Sequence, residues 1–179
     1  MPKVVNIEPT PNPNALKFVV KHPLATGGAR SFRDFASAVG DPLGSAIFAL
    51  GNVASVFYMD RFVTVNKHPT AAWAELIDPI CDAIEDCRAE NDGLGGVNNA
   101  DIETNDVFQK IIDVVNNRIR PGLAGDGGGL EIISFDGQTL AITYQGACGS
   151  CPAAGTSTLQ FIEGLLQHEV DPVIKVAML

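Results

Sequence analysis

The stretch Asn91-Asp-Gly-Leu-Gly-Gly-Val-Asn-Asn99 constrains this chain more than any other, because no helical or strand periodicity continues through it. Three glycines and three asparagines in nine residues read as a linker between folded units. A chain of 179 residues is thereby divided into two small domains, 1–90 and 102–179, with 91–101 between them. Each must close its own core. The hydrophobic content of 46% with only 7% aromatic residues suits cores built on small aliphatic side chains.

The first domain reads as mixed strands and helices. Val4–Glu8 and Leu16–Val20 have strand composition, and Pro9-Thr-Pro-Asn-Pro-Asn14 between them is a turn. Three prolines in five residues exclude both a helix and a central strand there. That turn is either a rigid hairpin loop or a contact for other proteins. Asp34–Val39 and Leu43–Leu50 read as short helices, the second with Asp41 as cap and Pro42 in its first turn. Val53–Tyr58 and Phe62–Val65 flank Met59-Asp60-Arg61 as a hairpin. From Ala71 to Cys87, residues Trp73, Leu76, Ile77, Ile80, Cys81, Ile84 and Cys87 form one apolar helical stripe, which Pro79 is expected to kink or restart. Cys81 and Cys87 fall on that stripe, where cysteine packs as a small hydrophobe. Six residues along a helix turn through about 600°, so the two thiols diverge by about 120° and are poorly placed to share a metal.

The second domain reads α-β-β-α-β, making the whole chain α+β with two small domains. Its first helix spans about Asn105–Arg120, with an apolar face of Phe108, Ile111, Ile112, Val115 and Ile119, and Pro121-Gly122 is expected to stop it. Gly125-Asp-Gly-Gly-Gly129 reads as a flexible loop. It is not a phosphate loop, since no Gly-Lys-Ser/Thr follows. Strands Leu130–Phe135 and Thr139–Gln145 are joined by Asp136-Gly137, a tight-hairpin signal. After the second strand comes Gly146-Ala-Cys-Gly-Ser-Cys-Pro-Ala-Ala154. A helix then runs from Thr156 to Gln167, and a last strand spans Val173–Val176. Cys148 and Cys151 therefore sit on a loop at a helix N-terminus, where the helix field favours thiolate. Such a pair can ligate a metal or cluster, exchange disulfides as thioredoxin-like proteins do, or hold a structural zinc. Zinc needs two further ligands, and His22, His68 and His168 show no paired spacing.

The net charge of −9 argues against nucleic-acid binding, which needs a basic face. Ten carboxylates against one cation, Arg88, lie between Glu75 and Asp106. Such a run is either a solvated face or a field that steers a basic partner. No apolar run is long enough to span a membrane. The first residues lack the pattern of a signal peptide. Four cysteines are too few and too clustered for a disulfide framework. A reducing compartment is expected, either a bacterial cytosol or, if a transit peptide precedes this stretch, the mitochondrial matrix.

Arg120-Pro121, Asp126-Gly127-Gly128, Gly146-Ala147-Cys148-x-x-Cys151-Pro152 and Thr158-Leu159 with Ile162-Glu163 together resemble the NifU C-terminal (Nfu) domain. Pro11-Asn12-Pro13-Asn14-Ala-Leu-Lys17-Phe18 resembles the start of the Nfu N-terminal domain. The two motifs are independent and stand in the family's order. The resemblance implies a non-enzymatic iron–sulfur cluster scaffold or carrier with Cys148 and Cys151 as ligands. It also implies a [4Fe–4S] cluster shared between two subunits, and leaves open whether [2Fe–2S] is carried as well. The partners implied are a second copy of the chain, the assembly proteins that load it, and the apoproteins that receive the cluster. Gly129 departs from the acidic or polar residue that often follows Asp-Gly-Gly in the family.

The residues suit that chemistry. A cubane cluster usually takes four thiolates. The domain offers two, so a second copy of the same loop across a two-fold axis completes the set. Gly146 and Gly149 lack Cβ atoms, which lets backbone approach the cluster.

Overall fold

The computed structural model describes residues 2–24, 28–87, 106–150 and 156–179. The chain divides into two compact units, Met1–Gly96 and Val97–Leu179. The expected linker, 91–101, lies outside the described residues.

The first unit is an antiparallel sheet carrying two helices. Its strands are β1 (Val4–Pro9), β2 (Ala15–Val20), β3 (Arg30–Phe32), β4 (Val53–Met59) and β5 (Phe62–Lys67), in the spatial order β1-β2-β5-β4-β3. Strand β5 is central and every residue in it is buried. Its Val63 and Val65 join Phe18, Val56 and Tyr58 in a core closed by Ile47 of α1 (Pro42–Ala49) and Leu76, Ile80 and Ile84 of α2 (Trp73–Asp86). Helix α1 starts as its sequence predicts: Asp41 Oδ1 accepts from the Gly44 N–H at 2.7 Å, and Pro42 occupies the first turn. The other oxygen of Asp41 accepts from Arg30 at 2.6 Å and from the buried Tyr58 hydroxyl. One carboxylate thus ties a helix start to strands β3 and β4.

Three expectations for this unit need correction or completion. Asp34–Val39 forms turns rather than a helix. There Ser37 donates its N–H to Asp34 Oδ1 at 2.7 Å and its hydroxyl to the Asp34 carbonyl at 2.8 Å. Short polar side chains compete in this way with helical bonding. Strand β3 was not anticipated, since three residues carry no readable alternation. Helix α2 does not restart at Pro79 but runs unbroken through it. Burial of Leu76, Ile80 and Ile84 holds the rod where one backbone bond is lost. Cys81 and Cys87 pack half-buried against this core, as the stripe predicts.

The proline-rich turn spends its polar groups inward. Asn12 is buried and its Oδ1 accepts from the Asn14 N–H at 3.0 Å. Lys67 Nζ donates to Asn14 Oδ1 at 3.2 Å, and Trp73 Nε1 donates to the Pro13 carbonyl at 3.3 Å. These bonds favour the rigid-loop reading over a loop held out for partners.

The second unit has the expected α-β-β-α-β order. Helix α3 (Asp106–Val114) passes through a π-helical turn, Val115–Ile119, into α4 (Arg120–Gly125). The rod therefore continues past Pro121-Gly122, where it was expected to stop. In the π-turn the Arg120 N–H bonds back to Val115, so Pro121 falls in the first turn of α4, where a missing N–H costs little. Strands β6 (Gly128–Phe135) and β7 (Thr139–Gly146) pair antiparallel, and β8 (Lys175–Met178) lies parallel to β7. A parallel return needs a crossover, which α5 (Thr156–Glu169) provides. Asp136 Oδ1 accepts from the Gln138 and Thr139 N–H groups at 2.9 and 2.7 Å, fixing the β6–β7 turn with Gly137 at a φ of 97°. Those bonds hold the exposed Asp136 carboxyl below its usual range. Phe108, Ile111, Val115, Ile119, Leu140, Ile142, Ile162 and Leu166 form one core.

Candidate functional site

The predicted cysteine loop begins where β7 ends. Gly146 has a φ of +64°, a left-handed conformation that glycine adopts without strain, and it turns the chain from the strand into a 3-10 turn, Ala147–Ser150. The Ala147 N–H then donates to the Gly127 carbonyl at 3.1 Å. Gly127 also has a positive φ, 73°. Two bends thus lock onto each other, one from each end of the β6–β7 hairpin. Gly128 and Gly146 are direct partners in the sheet.

This corrects the reading of Gly125–Gly129 as a flexible loop. Gly128 and Gly129 begin β6, and Gly128 is buried because Cys148 lies over it. A Cβ at Gly128 would overlap Cys148 Sγ, and would stand 2.9 Å from Cys148 Cβ and 3.1 Å from Cys148 N. The absence of that one side chain makes the space in which Cys148 sits. Gly149 has a different reason than expected. A Cβ there would come 3.0 Å from the Tyr144 carbonyl oxygen, so this glycine lets the loop fold back on its own strand.

Cys148 is half-buried and packs against the core of the second unit. In that core lies Tyr144, only 6% exposed, whose hydroxyl is buried and makes no hydrogen bond among the described residues. Burial, and secondarily the charge of a Cys148 thiolate, push the Tyr144 phenol up to about 12. It stays protonated at neutral pH, an O–H donor in electrostatic reach of that thiolate.

Of the sequence-predicted site residues, the structure brings Gly146, Cys148 and Gly149 into one short turn. Cys151 and Pro152, including the expectation that Pro152 opens the helix, lie outside the described residues. Among the described residues no group of three His, Cys, Asp or Glu side chains is arranged to hold a metal ion. Burial first, and then Glu85, Asp78 and Asp82, push the Cys81 thiol up, which suits packing rather than ligation.

Sequence reasoning missed two contributors, Gly128 and Tyr144. The signal for Gly128 was partial: the turn pairs Phe135 with Leu140, which by itself would set Gly129 opposite Gly146, and the irregularity between Ile132 and Ser134 shifts the register by one residue to bring Gly128 there. For Tyr144 there was none, because strand alternation predicts its burial but not an unspent hydroxyl.

The sequence pattern described as "Scaffold protein Nfu/NifU N terminal" matches residues 5–91, and that of the NifU-like domain matches residues 111–177. NifU-like protein 5, mitochondrial, of Arabidopsis thaliana is 31% identical over 94% of this chain. The NFU1 iron-sulfur cluster scaffold homolog, mitochondrial, of Drosophila willistoni is 30% identical over 94%. The chain spans 65% and 61% of the lengths of these two relatives. A solution structure of a NifU-like protein from Saccharomyces cerevisiae aligns with 45% of this chain and 75% of its own, at 26% identity and a TM-score of 0.39. With both domain patterns matched in one order along the chain, this protein belongs to the Nfu/NifU family.

Proposed function

We propose that the chain is an iron–sulfur cluster scaffold and carrier. Its cargo is a [4Fe–4S] cluster, with [2Fe–2S] as a second form, held by Cys148 and Cys151 from each of two copies and passed to apoproteins. Residues 102–179 would bind the cargo. Residues 1–90, beyond the linker 91–101, would engage donors and recipients. The role is binding and handing over, not catalysis. The relatives named above are mitochondrial proteins. Among the described residues no helix is long and apolar enough to cross a membrane. The mitochondrial matrix, or a bacterial cytosol, is the compartment we assign.

The observation that carries this reading is the cradle under Cys148. Its sulfur is the atom nearest to where a Gly128 side chain would stand, with its Cβ and backbone N within 3.1 Å, so the thiol itself is seated on the sheet while the residue as a whole is only half-buried. A seated thiol on a residue that is only half-buried suits a ligand that must hold and then let go. We assign the Tyr144 O–H, buried and unspent among the described residues, as a donor to thiolate sulfur, the kind of contact that tunes such sites. Transfer is ligand exchange without redox change. A recipient thiolate forms an Fe–S bond as the Fe–S bond to Cys148 breaks, and Cys148 leaves as a thiolate that takes a proton from water.

The test is transfer itself. Cluster-loaded protein should activate an apo [4Fe–4S] enzyme faster than equivalent free iron and sulfide, and a chelator of free iron should not block it. If the chelator abolishes activation, the protein only releases iron. If the same preparation reduces insulin disulfides but transfers no cluster, the pair serves dithiol exchange instead.

A further inference from the structure

We infer that the trough between α1 and α2 in the first unit is a docking groove for a basic amphipathic helix of a partner protein. The trough encloses about 590 Å³. One wall is the exposed edge of α1, with Ala46 and Leu50 one helical turn apart. The other is α2, with Pro79 and Ala83 toward the floor and Asp82 and Asp86 on the rim. Ala46, Asp82 and Asp86 are exposed, and Leu50, 37% exposed, is among the large apolar side chains left in solvent.

The chemistry of this surface selects its occupant. Small floor residues between two helices leave room for the ridge of a third, as helices pack ridge into groove. The rim carboxylates stand four residues apart on one helix, about 6 Å along its axis, and therefore meet cations at the same spacing on an opposing helix. Among the described residues no Lys or Arg lines the trough, and neither aspartate makes an ion pair. The rim lies within the acidic run that begins at Glu75, and the chain carries a net charge of −9. At this rim the same face of a second copy, a nucleic acid or an anionic lipid surface is repelled, whereas a lysine- or arginine-bearing segment is drawn in. This rests on the carrier reading only in taking the partners to be cluster donors or recipients. The groove itself is measurable on the apo chain.

The probe is a fluorescein-labelled helical peptide with a leucine stripe flanked by lysines four residues apart, and a twin with glutamate in place of lysine. The lysine peptide should bind the full apo chain, with amide shifts confined to α1 and the second half of α2. Raising the salt to about 0.5 M should weaken it. The isosteric pair Asp82→Asn with Asp86→Asn should weaken binding at least about tenfold. Ala46→Arg, at an exposed helical site, should abolish it by filling the trough with its own cation. All these variants should still take up iron, so a loss of cluster binding would bear on the carrier reading and not on the groove. The inference is overturned if the lysine peptide does not bind, if the glutamate twin binds as well, if the double asparagine variant binds unchanged, or if the shifts map elsewhere.

Discussion

Gly128→Ala should damage the site out of proportion to its single added methyl. The new Cβ would stand 2.9 Å from Cys148 Cβ, overlap its sulfur, and lie 3.1 Å from its backbone N. Carbon atoms settle at about 3.5–4.0 Å, so the cysteine must move by at least roughly 0.6 Å. Rotating the side chain does not suffice, because the backbone N is also too close. Overpacking of this kind costs about 1–3 kcal/mol, set against a gain of about 0.4–1 kcal/mol from a stiffer unfolded chain. The net expectation is a loss of about 1–2 kcal/mol. Gly122→Ala is the control: a Cβ there meets nothing within 4 Å and sits in α4, so it should stabilise by up to about 1 kcal/mol. Urea unfolding followed by circular dichroism gives both numbers. Iron retention, measured by chelator-driven bleaching of loaded protein, should fall for Gly128→Ala and hold for Gly122→Ala. If Gly128→Ala matches the parent in both stability and retention, the cradle argument is wrong.

Three other substitutions or reactions probe separate parts of the structure. Tyr144→Phe removes a buried hydroxyl that has no hydrogen-bond partner among the described residues, so the apo chain should gain about 1 kcal/mol while the loaded form bleaches faster; equal shifts in both would mean the hydroxyl only packs. Asp41→Ala strips a helix cap and the shared partner of Arg30 and Tyr58, and should cost about 2–4 kcal/mol by chemical denaturation. Cys81 should alkylate more slowly than a model thiol at pH 8, because its raised pKa leaves less thiolate at that pH; mass spectrometry after timed iodoacetamide exposure reads this out.

Much of the fold was legible because it rests on local chemistry. Asp41-Pro42 announced α1, the stripe from Leu76 to Ile84 announced α2, and Asp136-Gly137 announced the β6–β7 turn. What escaped depends on non-local balance. Pro79 and Pro121-Gly122 are strong breakers in isolation, yet core burial carries one helix through and a π-turn carries the other. Asp34–Val39 has helical composition, but Ser37 and Asp34 satisfy each other's backbone first. At the site, the cysteine motif was plain. The role of Gly128 was hidden because it appears only when the hairpin pairs it with Gly146 beneath Cys148.

The most direct test of the central claim is iron and sulfide per chain, with oligomeric state, after anaerobic reconstitution of the parent and of Cys148→Ser and Cys151→Ser. A cubane shared by two copies predicts about two irons and two sulfides per chain on a dimer, and loss of both with either serine variant. Four irons per chain on a monomer, or unchanged iron uptake by Cys148→Ser, would contradict the account.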